Sequence, residues 1–227
     1  MSNLRVDGGR LWRSLMEMAE IGATPKGGVK RLALSDEDRQ GRDLFVRWCE
    51  EAGLAVAVDR MGSIFARRAG KRDDLPPVLA GSHLDSQPTG GKFDGAWGVL
   101  AALEVVRTLN DAGIETERPI EIVSWTNEEG SRFSPPMIAS GVFAGVFTLD
   151  HAFAIRDKDG RSMGEELAHI GYQGEAAVGR PVHAYFEAHI EQGPILEDEG
   201  KSIGVVTGAM GQRWYEITVM GEEAHAG

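Results

Sequence analysis

The chain has a single cysteine, Cys49, so no disulfide can close within it and its thiol content does not call for an oxidising compartment. No stretch approaches the roughly 18 consecutive apolar residues that a membrane-spanning helix requires, and the first residues lack the apolar run of a secretory signal. Basic residues are in short supply. Against 35 Asp and Glu there are 24 Lys and Arg, a formal net charge of −11, with no Lys/Arg cluster to meet a phosphate backbone or an anionic bilayer. These deficits argue against nucleic acid and membrane as partners. A small-molecule substrate and a cytoplasmic location are the expectation. Internal repeats and low-complexity tracts are also missing.

What is present suffices for a sizeable core: 227 residues, 42% hydrophobic and 26% charged. Leu11, Leu15 and Met18 recur at helical spacing, predicting an amphipathic first helix that ends near Gly22. Ser35-Asp-Glu-Asp38 resembles a capping box and opens a second helix through Phe45 and Trp48 to a stop at Gly53. Cys49, one turn after Phe45, is then a packed thiol rather than a nucleophile. Residues 55–59 and 64–67 flank Met61-Gly62-Ser63 as a hairpin, and residues 77–81 and 120–126 have the character of buried strands. Between those two, residues 96–109 are apolar almost all round, predicting a helix covered on more than one side. Trp12, Trp48 and Trp97 fall on helical stripes and are expected in the core. After a polar, glycine-rich region at 157–179, residues 182–190 predict a strand with Glu187, His189 and Glu191 alternating on one face. Residues 204–207 and 214–220 suggest further strands, and Glu197-Asp-Glu199 a solvated helix end.

Strand, helix, strand is thus the repeating unit. It implies a layered α/β domain with ligands bound at the loops beyond the strand ends. Titratable residues gather there. His83 and Asp85 follow one predicted strand, Asp94 precedes the apolar helix, and Glu128 and Glu129 follow the next strand. An imidazole and two carboxylates converging from separate strand ends suit a hard or borderline divalent metal. Each has a plain alternative: His83 alone could be an ordinary polar residue at a strand end, and His189 a satisfied histidine on a half-buried strand.

The motifs Gly81-Ser-His83-Leu-Asp85-Ser, Gly91-Lys-Phe-Asp94-Gly, Asn127-Glu128-Glu129-Gly-Ser-Arg132-Phe133, His189-Ile-Glu191-Gln192-Gly-Pro and the terminal His225-Ala-Gly together resemble the hydantoinase/carbamoylase family of dinuclear metal amidases. That family includes N-carbamoyl-L-amino acid hydrolases, allantoate amidohydrolases and β-ureidopropionases. The resemblance implies a three-layer α/β sandwich with a mixed central sheet, a zinc-exopeptidase-like catalytic domain. Residues 1–210 would form the first portion of that domain, and residues 211–227 the opening strand of a truncated lid and dimerisation domain. It further implies two divalent ions (zinc, manganese or cobalt), with Asp94 bridging, His83 and His189 on one ion and Glu129 on the other. Glu128 would be the general base and His225 a lid donor to the substrate oxyanion. Gln192 would contact substrate, and Asp85 would orient the His83 imidazole. A cis peptide after Asp94 and a homodimer of the full-length protein belong to the same set of implications.

The function expected is metal-dependent hydrolysis of the ureido or amide C–N bond of N-carbamoyl amino acids or related ureido acids. A related dinuclear aminoacylase or peptidase, and a noncatalytic fragment, are the alternatives. His225 without the resemblance would be an ordinary exposed loop histidine. His151, His169 and His183 match none of the motifs and are expected to be structural or surface residues.

Overall fold

A computed structural model describes residues 4–211, 213, 215, 217–225 and 227. The described chain divides into two units, residues 1–190 and 191–227.

In the first unit the amphipathic stripe of the N-terminal segment forms α1 (Gly8–Glu20), capped by Asp7, whose side chain accepts the Arg10 N–H. Leu11, Leu15 and Met18 face inward. Trp12 does not share their burial: one residue off the stripe, it is 55% exposed and rests against Phe93. The expectation of a core tryptophan fails there because a step of one residue turns about 100° around the helix. The Ser35 hydroxyl accepts the Asp38 N–H to start α2 (Asp36–Glu51). The Asp38 carboxylate does not complete a reciprocal box; it turns inward to the Leu34 N–H and the Arg42 guanidinium.

The sheet runs β1-β2-β4-β3-β5. Strands β1 (Ala55–Val58), β2 (Ile64–Arg68) and β4 (Ile120–Trp125) pair antiparallel in succession, whereas β3 (Val78–His83) runs parallel to both β4 and β5 (Ala184–Phe186). The sheet is therefore mixed, as the α/β expectation required. Alternation along the strands sorts the side chains. Ile64, Ala66 and Ile122 join α1, α2 and α3 (Ala96–Asp111) on one face, while Phe65, Leu79, Val123 and Trp125 meet Phe143 and Val182 on the other. Phe45, fully buried in the first of these clusters, contributes roughly 1.5–3 kcal/mol by leaving water.

Helix α3 approaches the sheet unusually closely. At Gly98, in its first turn, a Cβ would lie 2.5 Å from the Ala188 main-chain oxygen and 2.8 Å from the Ser82 Cβ. A hydrogen there lets the helix rest directly on β3 and on the segment leading to His189.

Three short helices, α4 (Ile138–Phe143), α5 (Leu149–Ala154) and α6 (Met163–His169), follow β4 and enclose a second core around Phe133, Ile138 and Leu167. The last lies in the region expected to be merely polar and glycine-rich. It opens on a complete capping box between Ser162 and Glu165. Among residues 182–190 only Ala184–Phe186 form a strand ladder, which the His183 N–H extends with one bond to the Pro77 oxygen.

The second unit contains α7 (Ile195–Asp198), an exposed turn as its acidic run suggested. The Glu191 carboxylate accepts the N–H groups of Ile195 and Leu196 at its start. Residues 204–207, expected as a strand, carry no ladder, and Val205 and Val206 are exposed; an isolated extended segment has no partner for its peptide groups. In the segment 214–220, Trp214 and Glu216 lie outside the described residues. No described helix is long and apolar enough to cross a membrane.

Candidate metal centre

The carboxyl ends of β3 and β4 deliver the titratable residues to one place. His83 is the last residue of β3 and only 1% exposed. Asp94 stands just ahead of α3, and Gly95 between them has φ +62, with the position of a Cβ 2.4 Å from the His83 ring. Only glycine permits both that dihedral and that approach. The close approach comes from this positive φ, not from a cis peptide after Asp94: among the described residues the one cis bond is Ser134–Pro135.

One ligating atom from each of His83, Asp94 and His189 lies within 4.8 Å of the others. The two imidazoles are fixed in the same way. His83 Nδ1 is 2.8 Å from the Asp85 main-chain oxygen, and His189 Nδ1 is 2.9 Å from that of Ile190. A carbonyl can only accept, so each Nδ1 carries a proton, which leaves Nε2 as the inward-facing atom through which either ring could bind a metal. There His189 Nε2 stands 3.3 Å from Asp94 Oδ1, and His83 Nε2 stands 3.4 Å from Glu128 Oε2. Such contacts hold either a shared proton or a cation, and the convergence of three ligating atoms suits a cation. A separation near 3.3 Å is about what two ligands of one tetrahedral ion show at metal–ligand distances of roughly 2.0–2.1 Å.

Glu128 and Glu129 are turned apart by backbone rather than by strand alternation. Asn127 takes φ 53 and Gly130 φ 65, and the Asp85 carboxylate reaches across to accept the Glu128 N–H at 3.1 Å and the Glu129 N–H at 3.2 Å. Asp85 thus touches His83 through its carbonyl, not its side chain, whose nearer oxygen is 3.9 Å from Nδ1. Its carboxylate instead anchors the glutamate pair, an arrangement the motif spacing did not reveal. Glu129 Oε2 accepts from Gln87 Nε2 at 2.8 Å. Its Oε1 is buried with no hydrogen-bond partner among the described residues, and a bound cation would supply the missing contact. Glu129 stands outside the tight group of three.

The electrostatics match this crowding. Burial pushes the Asp85 carboxyl up to about 6, opposed by His83 and by the two N–H donors. Burial also raises the Glu128 carboxyl, with the His83 imidazole opposing and Glu129 and Glu187 reinforcing. For His83, burial disfavours the charged ring, but Asp85 and Glu128 outweigh it and the pKa rises. By contrast Cys49 is inert, its buried thiol pushed up to about 12.

Arg31 is a contributor the motifs did not single out. Fully buried, it donates from Nε to the Leu84 oxygen at 3.0 Å, and its main chain brackets Ser86 on both sides, clamping the loop that carries His83 and Asp85. No periodicity marks such an arginine in a loop. His225 and Gln192 belong to the second unit; His225 Nδ1 accepts the Gly227 N–H, and Gln192 has φ 58.

The chain is also similar to known proteins in sequence and fold. Residues 79–226 match the model of peptidase family M20/M25/M40. An N-carbamoyl-L-amino-acid amidohydrolase of Rhizobium meliloti is 59% identical over 226 residues, covering 99% of this chain and 54% of that protein. An allantoate amidohydrolase of Bacillus subtilis is 36% identical over 213 residues, 92% of this chain and 52% of that protein. A solved hydantoinase/carbamoylase family amidase from Burkholderia ambifaria superposes with a TM-score of 0.89 at 62% identity, over 90% of this chain and 50% of that one. The chain spans about half the length of the curated relatives it matches.

Proposed function

We propose that this chain, which belongs to peptidase family M20/M25/M40, is the metal-binding part of an amidohydrolase that cleaves the C–N bond of a ureido acid. The observation that carries the proposal is the meeting of His83, Asp94 and His189 beside Glu128. The residues fit a divalent cation: two inward-facing Nε2 atoms, the Asp94 carboxylate, and the Oε1 of Glu129, buried without a hydrogen-bond partner among the described residues. Two ions, zinc, manganese or cobalt, would be held by His83 and His189 for one and Glu129 for the other, with Asp94 shared between them. When bound, such ions acidify a water molecule and polarise a carbonyl.

The protein's own groups supply the proton handling. Glu128, its basicity raised by burial, takes a proton from the attacking water as the water oxygen bonds to the ureido carbon. The C–N bond to the amino acid then breaks, and Glu128 returns the proton to the departing nitrogen. The carbamate so released falls apart to carbon dioxide and ammonia. Asp85, by holding two consecutive N–H groups, keeps Glu128 and Glu129 pointing to their separate tasks. His225 as an oxyanion donor and Gln192 as a substrate contact complete the assignment, with residues 211–227 opening a lid and dimerisation domain. The whole protein is proposed to work as a cytoplasmic homodimer.

Metal analysis and an assay of N-carbamoyl-L-amino acid hydrolysis on the whole protein test this reading. Two ions per chain and equimolar amino acid and ammonia are expected. Turnover of N-acyl amino acids or dipeptides with none of ureido acids would move the assignment to an aminoacylase or peptidase.

A further inference from the structure

We infer that an apolar pocket beside Glu128 receives the substrate's side chain, selecting N-carbamoyl amino acids with bulky apolar side chains over polar ureido acids such as allantoate. The inference rests on the ureido-hydrolase reading and adds what the substrate carries next to the cleaved nitrogen.

A cavity of 280 Å³ opens between α4 and the face of β3, β4 and β5, walled by Leu79, Trp125, Phe143 and Val182, with Met137 and Ala144 exposed at its rim. Glu128 lies on the same wall, so the pocket begins where the base acts. The rim is tied to that base: the Met137 N–H donates to the Glu128 main-chain oxygen at 2.7 Å. The floor is aromatic and interlocked, with Phe143 and Trp125 at 5.2 Å between ring centres and Phe65 edge-on to Trp125 at 5.7 Å.

The side-chain donors that reach this wall are already engaged. Trp125 Nε1 donates to the Tyr185 hydroxyl at 3.1 Å, and that hydroxyl donates to Glu187 Oε2 at 2.7 Å. Ser82 donates to the other oxygen of Glu187, and the Ser140 hydroxyl donates to the Met137 carbonyl at 3.1 Å. A second ureido group placed here would find the Glu128 and Glu187 carboxylates for its N–H groups but no uncommitted donor for its carbonyl, against walls that are mostly apolar. An aliphatic or aromatic side chain surrenders only its contact with water.

The test is a substrate series on the whole, metal-loaded protein: N-carbamoylglycine, N-carbamoyl-L-alanine, N-carbamoyl-L-leucine, N-carbamoyl-L-phenylalanine and allantoate. Wild type is compared with Ala144→Phe, which narrows the pocket from an exposed position, and with Met137→Gln, a second rim variant that stands in if the first does not fold. In the wild type kcat/KM should rise at least about tenfold from the glycine to the leucine derivative, with allantoate below both. Each rim variant should reduce the leucine-to-glycine ratio severalfold, Ala144→Phe by about tenfold. A flat series, a preference for allantoate, or an unmoved ratio in the variants overturns the pocket assignment while leaving ureido hydrolysis standing. Metal-loaded protein that turns over no member of the series removes the ureido reading, and the pocket's role with it.

Discussion

Asp85 holds the main chain of Glu128: its Oδ1 accepts the Glu128 N–H at 3.1 Å while Oδ2 takes the N–H of the next residue at 3.2 Å. A buried carboxylate, 1% exposed, spends both oxygens on the backbone that aims the proposed base and a proposed metal ligand. Asp85→Asn can accept with only one of its two terminal atoms, so one N–H is orphaned at a cost of about 1–3 kcal/mol. Misaiming Glu128 should lower kcat by about 10–100-fold. Steady-state kinetics with denaturant unfolding checks this; near-normal kcat in a stably folded variant would show that the carboxylate does not set the geometry.

Glu128→Gln keeps the size and loses the basicity. The whole protein should keep its metal and lose about 10²–10⁴-fold in kcat. Metal content by elemental analysis and turnover are read on the same sample, and a variant with wild-type kcat removes the general-base role.

Asp94→Ala takes away the carboxylate beside His189 Nε2. If Asp94 bridges, both ions leave together. Titration with a chelator followed by metal counting should find neither site filled, and retention of one ion at full occupancy contradicts the bridge.

Much of this was legible in the amino acids, for physical reasons that differ between elements. Helices α1 and α2 and the β1–β2 hairpin announce themselves because one face of each is buried, which imposes a period on the residues. The chemistry-bearing loops stand out because histidine and carboxylates cluster after apolar runs. Helices α4 and α5 are six residues each, too short for a 3.6-residue period to emerge. The Ser162–Glu165 box of α6 was a usable signal, masked by the glycines around it. Residues 182–190 alternate throughout, yet β5 pairs only with β3, from Val78 to Ala80, so the ladder ends before His189. The role of the Asp85 side chain was hidden because it depends on where β4 ends relative to β3, a register that no local pattern carries.

Asp59 offers a pH signature away from the metal site. Its Oδ1 accepts the N–H groups of Met61 and Ser63, and burial pushes the carboxyl up to about 6, against about 3.9 in an unfolded chain. Below about pH 4 both states are protonated and the group is neutral to stability. Between about 4 and 6 the unfolded chain releases the proton first, so stability falls as pH rises, by on the order of 2–3 kcal/mol in all. Asp59→Asn removes this dependence. Urea unfolding of metal-free protein at pH 4 and pH 7 should show the variant gaining on wild type by that amount, and a constant difference would exclude the effect.

Asp94 enters the first turn of α3 and His189 follows Ala188, the residue whose carbonyl lies against Gly98. The bare Cα at position 98 therefore acts as a spacer gauge: any larger residue would wedge the helix off the sheet and widen the jaws of the proposed cage without touching any of its proposed ligands. Retuning which ion this centre prefers could begin at a glycine that never meets the metal.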